Sequence, residues 1–442
     1  MPHGTSLART ARAAALTAVT LLTSAQAPAP LFAAVPATAS APVTTSAPVT
    51  ASAPMAVAST SSFSTDQCTF PNKKYPGRPW ALQRVQLDEL WSQSRGKGVK
   101  VAVIDTGVDV RNPQLADAVD VKDGVNLMEP GLKDADGNPI PHGNAQGTSD
   151  TVGHGTKVAG IIAARPASGT GFVGLAPDAT IVPIQQNDAE GHGDADTLAE
   201  GILHAIHVGA GVINISQDTA KAVEPAGSLK AAVDAALAKN IVVVASAGND
   251  GLGGNVKSTY PASFDGVLAV AASDRNNERA SFSQSGDFVG VAAPGVDMIS
   301  TVPKGGHCSD NGTSFSAPYV AGVAALIKAK HPDWTAREIV AQIEQTAERT
   351  IPGHDRLVGW GVVDPVRALT DDDHPVESPT PEDGLTGAEA PSAAKVQVGE
   401  TADQHDARLA TYVTVGTAVT AAAMAGTAVA VRDARRRRRV TS

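Results

Sequence analysis

Three short stretches of this chain carry side chains that could do covalent chemistry together. Asp105 closes an apolar run, Val101-Ala102-Val103-Ile104, and is followed by Thr106-Gly107. His154 sits in Gly153-His154-Gly155-Thr156, and Ser314 in Asn311-Gly312-Thr313-Ser314-Phe315-Ser316-Ala317-Pro318. A serine hydroxyl becomes a nucleophile when a base takes its proton, and an imidazole serves as that base when an acid holds its tautomer and stabilises its charged form. Glycine beside each residue lets backbone and a bound chain approach closely. Taken alone, Ser314 reads as a plain helix N-cap. An acid, an imidazole and a hydroxyl in three such settings point instead to acyl transfer through serine. Asn249, in Ala245-Ser246-Ala247-Gly248-Asn249, reads alone as a turn residue. Beside the other three it reads as an amide donor to a developing oxyanion.

The elements that must position these residues alternate between strand and helix. Val99 to Ile104 is a short, mostly apolar run expected to be a central parallel strand, which leaves Asp105 at its carboxyl end, where α/β sheets build sites. His154 opens a helix whose Val158, Ile161 and Ile162 share a face. Strands are expected at 179–186, 211–216, 241–247, 267–272 and 288–293, and helices at 194–209, 228–240, 313–330 and 335–348. Ser314 falls in the first turn of a small-residue apolar helix that follows a Gly-rich loop. There the free N–H groups and positive dipole end favour negative charge. Repeated βα units imply α/β architecture, a parallel sheet with helices on both faces.

The ends of the chain differ from this central part. Residues 1–27 carry Arg9 and Arg12, an apolar run and then small residues, the pattern of a secretory signal whose cleavage point could lie as far on as 41. Residues 28–65 are rich in Ala, Pro, Ser and Thr, read as a disordered or wall-spanning spacer. Residues 66–95 form an extension expected to pack on the domain through a short helix bearing Leu82, Val85, Leu87, Leu90 and Trp91. The domain proper is taken as 96–370, and 371–408 as an acidic, Pro- and Gly-rich disordered linker. Residues 409–431 lack charge and are long enough to span a bilayer. The Arg-rich segment 432–442 after them places the tail in the cytoplasm by the positive-inside rule. Net charge is −10 with the arginine cluster confined to the C-terminus, so no basic surface for nucleic acid is indicated.

The motifs Val103-Ile104-Asp105-Thr106-Gly107, His154-Gly155-Thr156-Lys157-Val158-Ala159-Gly160 and Gly312-Thr313-Ser314-Phe315-Ser316-Ala317-Pro318, in the order Asp, His, Ser, resemble those of the subtilase family of serine proteases over roughly residues 80–370. The resemblance implies a subtilisin-like fold and an endopeptidase in which Asp105 orients His154, His154 acts as base and then acid, and Ser314 attacks the peptide carbonyl. It assigns Asn249 to the oxyanion site. It also makes Ser216, Gln217 and Asp218 one wall of the substrate cleft and Ala245, Ser246, Ala247 and Gly248 the other. The signal pattern, the Cys-bearing extension and the C-terminal span also resemble mycosins, the membrane-anchored subtilases of type VII secretion systems. That implies a single-pass protein of the cell membrane, its catalytic domain outside the cytoplasm and its partners among type VII membrane components.

The chain departs from that pattern twice. Mycosins usually carry a cysteine just before the histidine motif, whereas this chain has Asp150-Thr151-Val152 there; by the resemblance, Cys68 of the extension is expected to pair with Cys308. The wall segment Ser216-Gln217-Asp218 ends in a carboxylate where the family usually has glycine, which leaves selectivity open and suggests a basic or polar residue near the scissile bond. No cofactor and no metal are expected. His142, His192, His204, His207, His307 and His354 lack ligand spacing, and Asp134-Ala135-Asp136-Gly137-Asn138 reads as a solvated turn rather than a calcium loop. Partners are expected to be protein or peptide substrates, the membrane and the secretion complex. Two alternatives stay open: a structural component of such a complex whose role needs no proteolysis, and a general cell-surface subtilase.

Overall fold

The computed structural model describes residues 68–133, 136–188, 193–217, 227–252, 258–381 and 402–440. The signal and spacer segments, Asp218, and most of the second linker lie outside the described residues. In chain order the elements are α1 (Trp80–Gln83), α2 (Leu87–Gln93), β1 (Lys100–Asp105), β2 (Val125–Asn126), α3 (His154–Ala163), β3 (Thr180–Gln185), α4 (Ala195–His207), β4 (Val212–Ile215), α5 (Gly227–Ala238), β5 (Val242–Ser246), β6 (Leu268–Ser273), β7 (Val289–Pro294), β8 (Met298–Thr301), β9 (His307–Asp310), α6 (Thr313–Lys330), α7 (Ala336–Gln345), α8 (Pro365–Thr370) and α9 (Ala402–Val440).

The main sheet runs β2-β3-β1-β4-β5-β6-β7, with every pair parallel. β1 lies between β3 and β4, so strand order reverses around it, and the crevice at its carboxyl end is where such sheets bind ligands. Alternation along β1 feeds two cores. Val101 and Val103 join the cluster holding α3, α6 and α7, while Ala102 and Ile104 join the cluster holding α4 and α5. That covers the sheet with helices on both faces, as the βα pattern requires. α6 runs through the larger core: every residue from Thr313 to Ile327 except Ser314 is buried. A helix apolar all round must be interior, and here Ser314 alone is left at the rim.

Local chemistry sets the helix starts. Asp194 caps α4 and Thr335 caps α7, each through a reciprocal capping box with Thr197 and Glu338. The expected helices at 194–209 and 335–348 take in these caps and the last frayed turn.

Three features were not expected. The extension holds two short helices, not one: the break at Arg84–Gln86 lets Leu82, Val85, Leu87 and Leu90 all be buried. The Gly-rich loop before Ser314 is an antiparallel hairpin, β8 with β9. Residues 371–381, read as linker, lie against the domain: Asp372 accepts from Lys330 and His331, and the Arg337 and Arg349 side chains donate to the Glu377 and Thr380 carbonyls. α9 runs past 409–431 at both ends. It is the helix among the described residues that is long and apolar enough to cross a membrane, and its described side chains are exposed throughout.

Candidate active site

Asp105 ends β1 and is fully buried, while His154 opens α3 beside it. Asp105 Oδ1 lies 2.7 Å from His154 Nδ1 and also accepts from the Thr106 N–H at 2.8 Å. A carboxylate only accepts, so Nδ1 carries the proton and Nε2 is the free base. Asp105 Oδ2 is buried and takes no hydrogen bond among the described residues. Burial lowers the pKa of the imidazole, but the charge and hydrogen bond of Asp105, helped by Asp150, outweigh it. The net shift is upward from 6.5.

Glycine is required where these two residues meet. A Cβ on Gly155 would stand 2.2 Å from the Gly107 carbonyl oxygen and 3.1 Å from Asp105 Oδ1. Gly153 adopts φ +84°, and a Cβ there would strike the Phe70 ring at 2.3 Å, so the extension lies directly on the turn that starts α3.

Asp150, read only as the residue standing near a missing cysteine, ties this corner together. Its buried carboxylate accepts from the N–H groups of Val152, Gly153 and Thr156 and from the hydroxyls of Thr156 and Thr106, at 2.6 to 3.0 Å. Thr106 Oγ1 in turn accepts from Gly155 N–H at 2.9 Å. Burial pushes the Asp150 carboxyl up to about 6 against these hydrogen bonds.

Ser314 stands in the first turn of α6, after Gly312, and its Oγ donates to the Ser216 carbonyl at 3.0 Å. It lines one cleft of about 330 Å³ with His154, Asn249, Ser216, Gln217 and Ser246. Three separate parts of the chain therefore meet at the carboxyl edge of the sheet. The Asn249 side-chain oxygen accepts from Thr313 N–H at 2.9 Å and Thr313 Oγ1 at 3.0 Å. That fixes the flip of the amide, and no acceptor among the described residues takes its Nδ2. Ser216 is held from behind by Asn214, and Gln217 turns back to the Ile104 carbonyl. Ala245, Ala247 and Gly248 are buried behind Ser246. Asn187 and Asp188, just past β3, also line the cleft. They were not singled out in the sequence, although their place after a strand end was the available signal.

Cys68 and Cys308 are joined as a disulfide. It fastens the extension to β9, and backbone hydrogen bonds from Asn72 to Gly305 and from His307 to Lys73 run alongside.

A family model described as the subtilase family, peptidase S8, matches residues 96–361. Subtilisin Savinase of Lederbergia lenta is 38% identical over 286 residues, covering 64% of this chain and 96% of that protein. Among solved structures, the MycP3 protease from the type VII (ESX-3) secretion system aligns with TM-score 0.59 and 34% identity, covering 68% of this chain and 90% of that one. MycP1 from Mycobacterium smegmatis aligns with TM-score 0.57 and 33% identity, covering 70% and 89%. With a matching model over most of its folded domain and the corresponding parallel sheet, this chain belongs to the subtilase family of serine proteases.

Proposed function

We propose that the protein is a membrane-anchored endopeptidase that cleaves peptide bonds outside the cytoplasm through Asp105, His154 and Ser314, in association with a type VII secretion system. The observation that carries the reading is the 2.7 Å contact of Asp105 with His154 on the cleft that Ser314 also lines. A peptide seated along Ser216 and Ser246 presents its carbonyl to Ser314. The hydroxyl turns from the Ser216 carbonyl to His154 Nε2 and attacks as its proton passes to the ring. Asp105 stabilises the imidazolium, and the oxyanion forms against Asn249 Nδ2 and the Ser314 N–H. His154 then hands its proton to the leaving amine. A water activated by the same imidazole releases the acid product.

Support for the anchor comes from α9. Its Thr411, Thr414, Thr417, Thr420 and Thr427 hydroxyls donate back to carbonyls one turn earlier, so these polar groups are satisfied without water. The arginines after 431 favour a cytoplasmic tail, and a disulfide in the domain suits an oxidising compartment. The similarity to MycP3 and MycP1 supports the secretion role. Two carboxylates, Asp218 in the wall segment and Asp188 on the cleft, favour a basic or polar residue near the scissile bond.

A fluorophosphonate probe should label the wild-type protein at Ser314 and fail to label Ser314→Ala. Label retained in that variant would remove the assignment. Carbonate extraction should leave the full chain in the membrane pellet and release a chain cut before residue 402. A peptide-library profile indifferent to charge, and unchanged by Asp218→Gly, would remove the selectivity. Secretion by a Ser314→Ala strain at the level of the parent, with loss in a deletion strain, would favour the structural role over proteolysis.

A further inference from the structure

The ion pair of Lys157 with Asp310 has no part in the chemistry above, yet it spans the site. Lys157 lies three residues after His154 on α3, so the two side chains leave the same face. It is 7% exposed, and its ammonium is 2.7 Å from Asp310 Oδ2. Burying an ammonium is costly unless it is paired. Asp310 ends β9, a few residues before Ser314. The pair therefore joins the helix that carries the imidazole to the strand that delivers the hydroxyl. Phe315 fills the space between, its ring centroid 5.3 Å from that of His154 and 5.8 Å from Lys157 Nζ. The same hairpin is fastened to α3 by Ser300 Oγ on the Lys157 carbonyl and Thr301 Oγ1 on the Thr156 carbonyl, at 2.6 and 2.8 Å.

We infer that Lys157, held by Asp310, is a positioning residue that fixes His154 against Ser314 and sets the basicity of the imidazole. The inference rests on the roles proposed for those two residues. The charged groups around the ring are Asp105 from β1, Asp150 from the turn before α3, Lys157 from α3 itself, Asp310 from β9 through Lys157, and Asp188 across the cleft. α6 offers the uncharged Ser314 and Phe315. Lys157 is the cation in this set, and Asp310 offsets part of its field. Without the cation, the ring faces carboxylates and holds its proton more tightly. Without the Asp310 charge, the cation acts unopposed and the ring releases its proton more readily.

The test is the pH dependence of kcat/KM for the detergent-solubilised full chain, normalised to fluorophosphonate-titrated sites. Lys157→Met should move the acid limb up by about half a pH unit, and Asp310→Asn should move it down by a smaller amount, about 0.3 unit. The double variant should return near the wild-type limb, and Lys157→Arg should keep it. Half-exposed Asp310 tolerates substitution, so its downward shift is readable even where Lys157→Met unfolds. An unmoved limb in Asp310→Asn, or the same direction in both single variants, overturns the inference. Wild-type protein that neither labels at Ser314 nor turns over peptide would instead defeat the underlying site assignment, which the same titration reads separately.

Discussion

The side-chain oxygen of Asn249 accepts a hydrogen bond from the backbone N–H of Thr313 at 2.9 Å, one residue before Ser314, the proposed nucleophile. The amide is thereby locked with its N–H₂ group away from α6, and the lock comes from the same turn that aims Ser314. An oxyanion donor works only if it is already oriented when charge develops. Asn249→Ala is expected to lower kcat by about 10²–10³, the loss seen when one such donor is removed from a subtilisin, with KM little changed. Thr313→Val keeps the backbone donor and loses the hydroxyl bond of 3.0 Å; a loss of about tenfold is expected, from a less well-held amide. Steady-state kinetics on one peptide substrate checks both. An Asn249→Ala protein with wild-type kcat would exclude this residue from the oxyanion site.

His154 titrates above the ordinary histidine value because Asp105 outweighs burial. In the proposed mechanism the base works as the neutral ring, so kcat/KM should fall as pH drops through this raised pKa, with its acid limb above ~6.5. Asp105→Asn removes the charge and offers Nδ1 the wrong partner. It should cost about 10⁴ in kcat and move the remaining limb downward. A pH series on wild type and variant tests this, and a wild-type limb near 5 would contradict it.

The contrast between what the sequence announced and what it hid follows from the range of the forces. Strands such as Val101 to Ile104 announce themselves because burial on both faces demands continuous apolar residues. The glycines beside His154 and Ser314 announce close approach. The hairpin β8–β9 carries no such pattern. His307 and Cys308 are buried by the extension, from a segment more than two hundred residues away, and Gly305-Gly306 looks like loop chemistry. Asp150 is similar: five donors converge on it from two segments, and no local spacing reports that. Thr313 was visible as a neighbour of Ser314, but its partner Asn249 is set by the fold of β5 against α6.

Asp150 should matter more for stability than its distance from the reaction suggests. Asp150→Ala strands the N–H groups of Gly153 and Thr156 and two hydroxyls in a buried corner. Each stranded donor costs about 1–3 kcal/mol where water cannot reach, so with four donors a loss of at least about 4 kcal/mol is expected. Asp150→Asn keeps one acceptor but turns an amide N–H₂ toward donors, and should fall between. Because Thr106 loses its anchor, kcat should drop in both variants even where the protein stays folded. Denaturant unfolding with parallel kinetics tests the pairing; full stability in Asp150→Ala would refute the network.

The docking of the extension should depend on pH through His307. Its Nδ1 accepts from the Tyr75 N–H at 3.0 Å, so Nε2 carries the proton and donates to Gln114 Oε1 at 2.7 Å. The neutral ring is required: a second proton would set two N–H groups against each other. Burial, with Lys74 nearby, lowers its pKa to about 4, against ~6.5 in an unfolded chain. Above ~6.5 the ring is neutral in both states and pH has no effect. As pH falls from there to about 4 the unfolded chain takes the proton first, and stability is lost, by about 3 kcal/mol in all. Asp150 and Glu344, pushed up by burial to about 6 and about 7, bind protons first in the folded state and act in the opposite direction. The comparison is therefore between wild type and His307→Gln, whose unfolding free energies should converge between pH 7 and 5. Equal slopes in the two proteins would show that His307 does not hold the extension as a neutral acceptor. Cys308→Ser should leave that slope in place while lowering stability throughout, by roughly 3–5 kcal/mol for a loop this long.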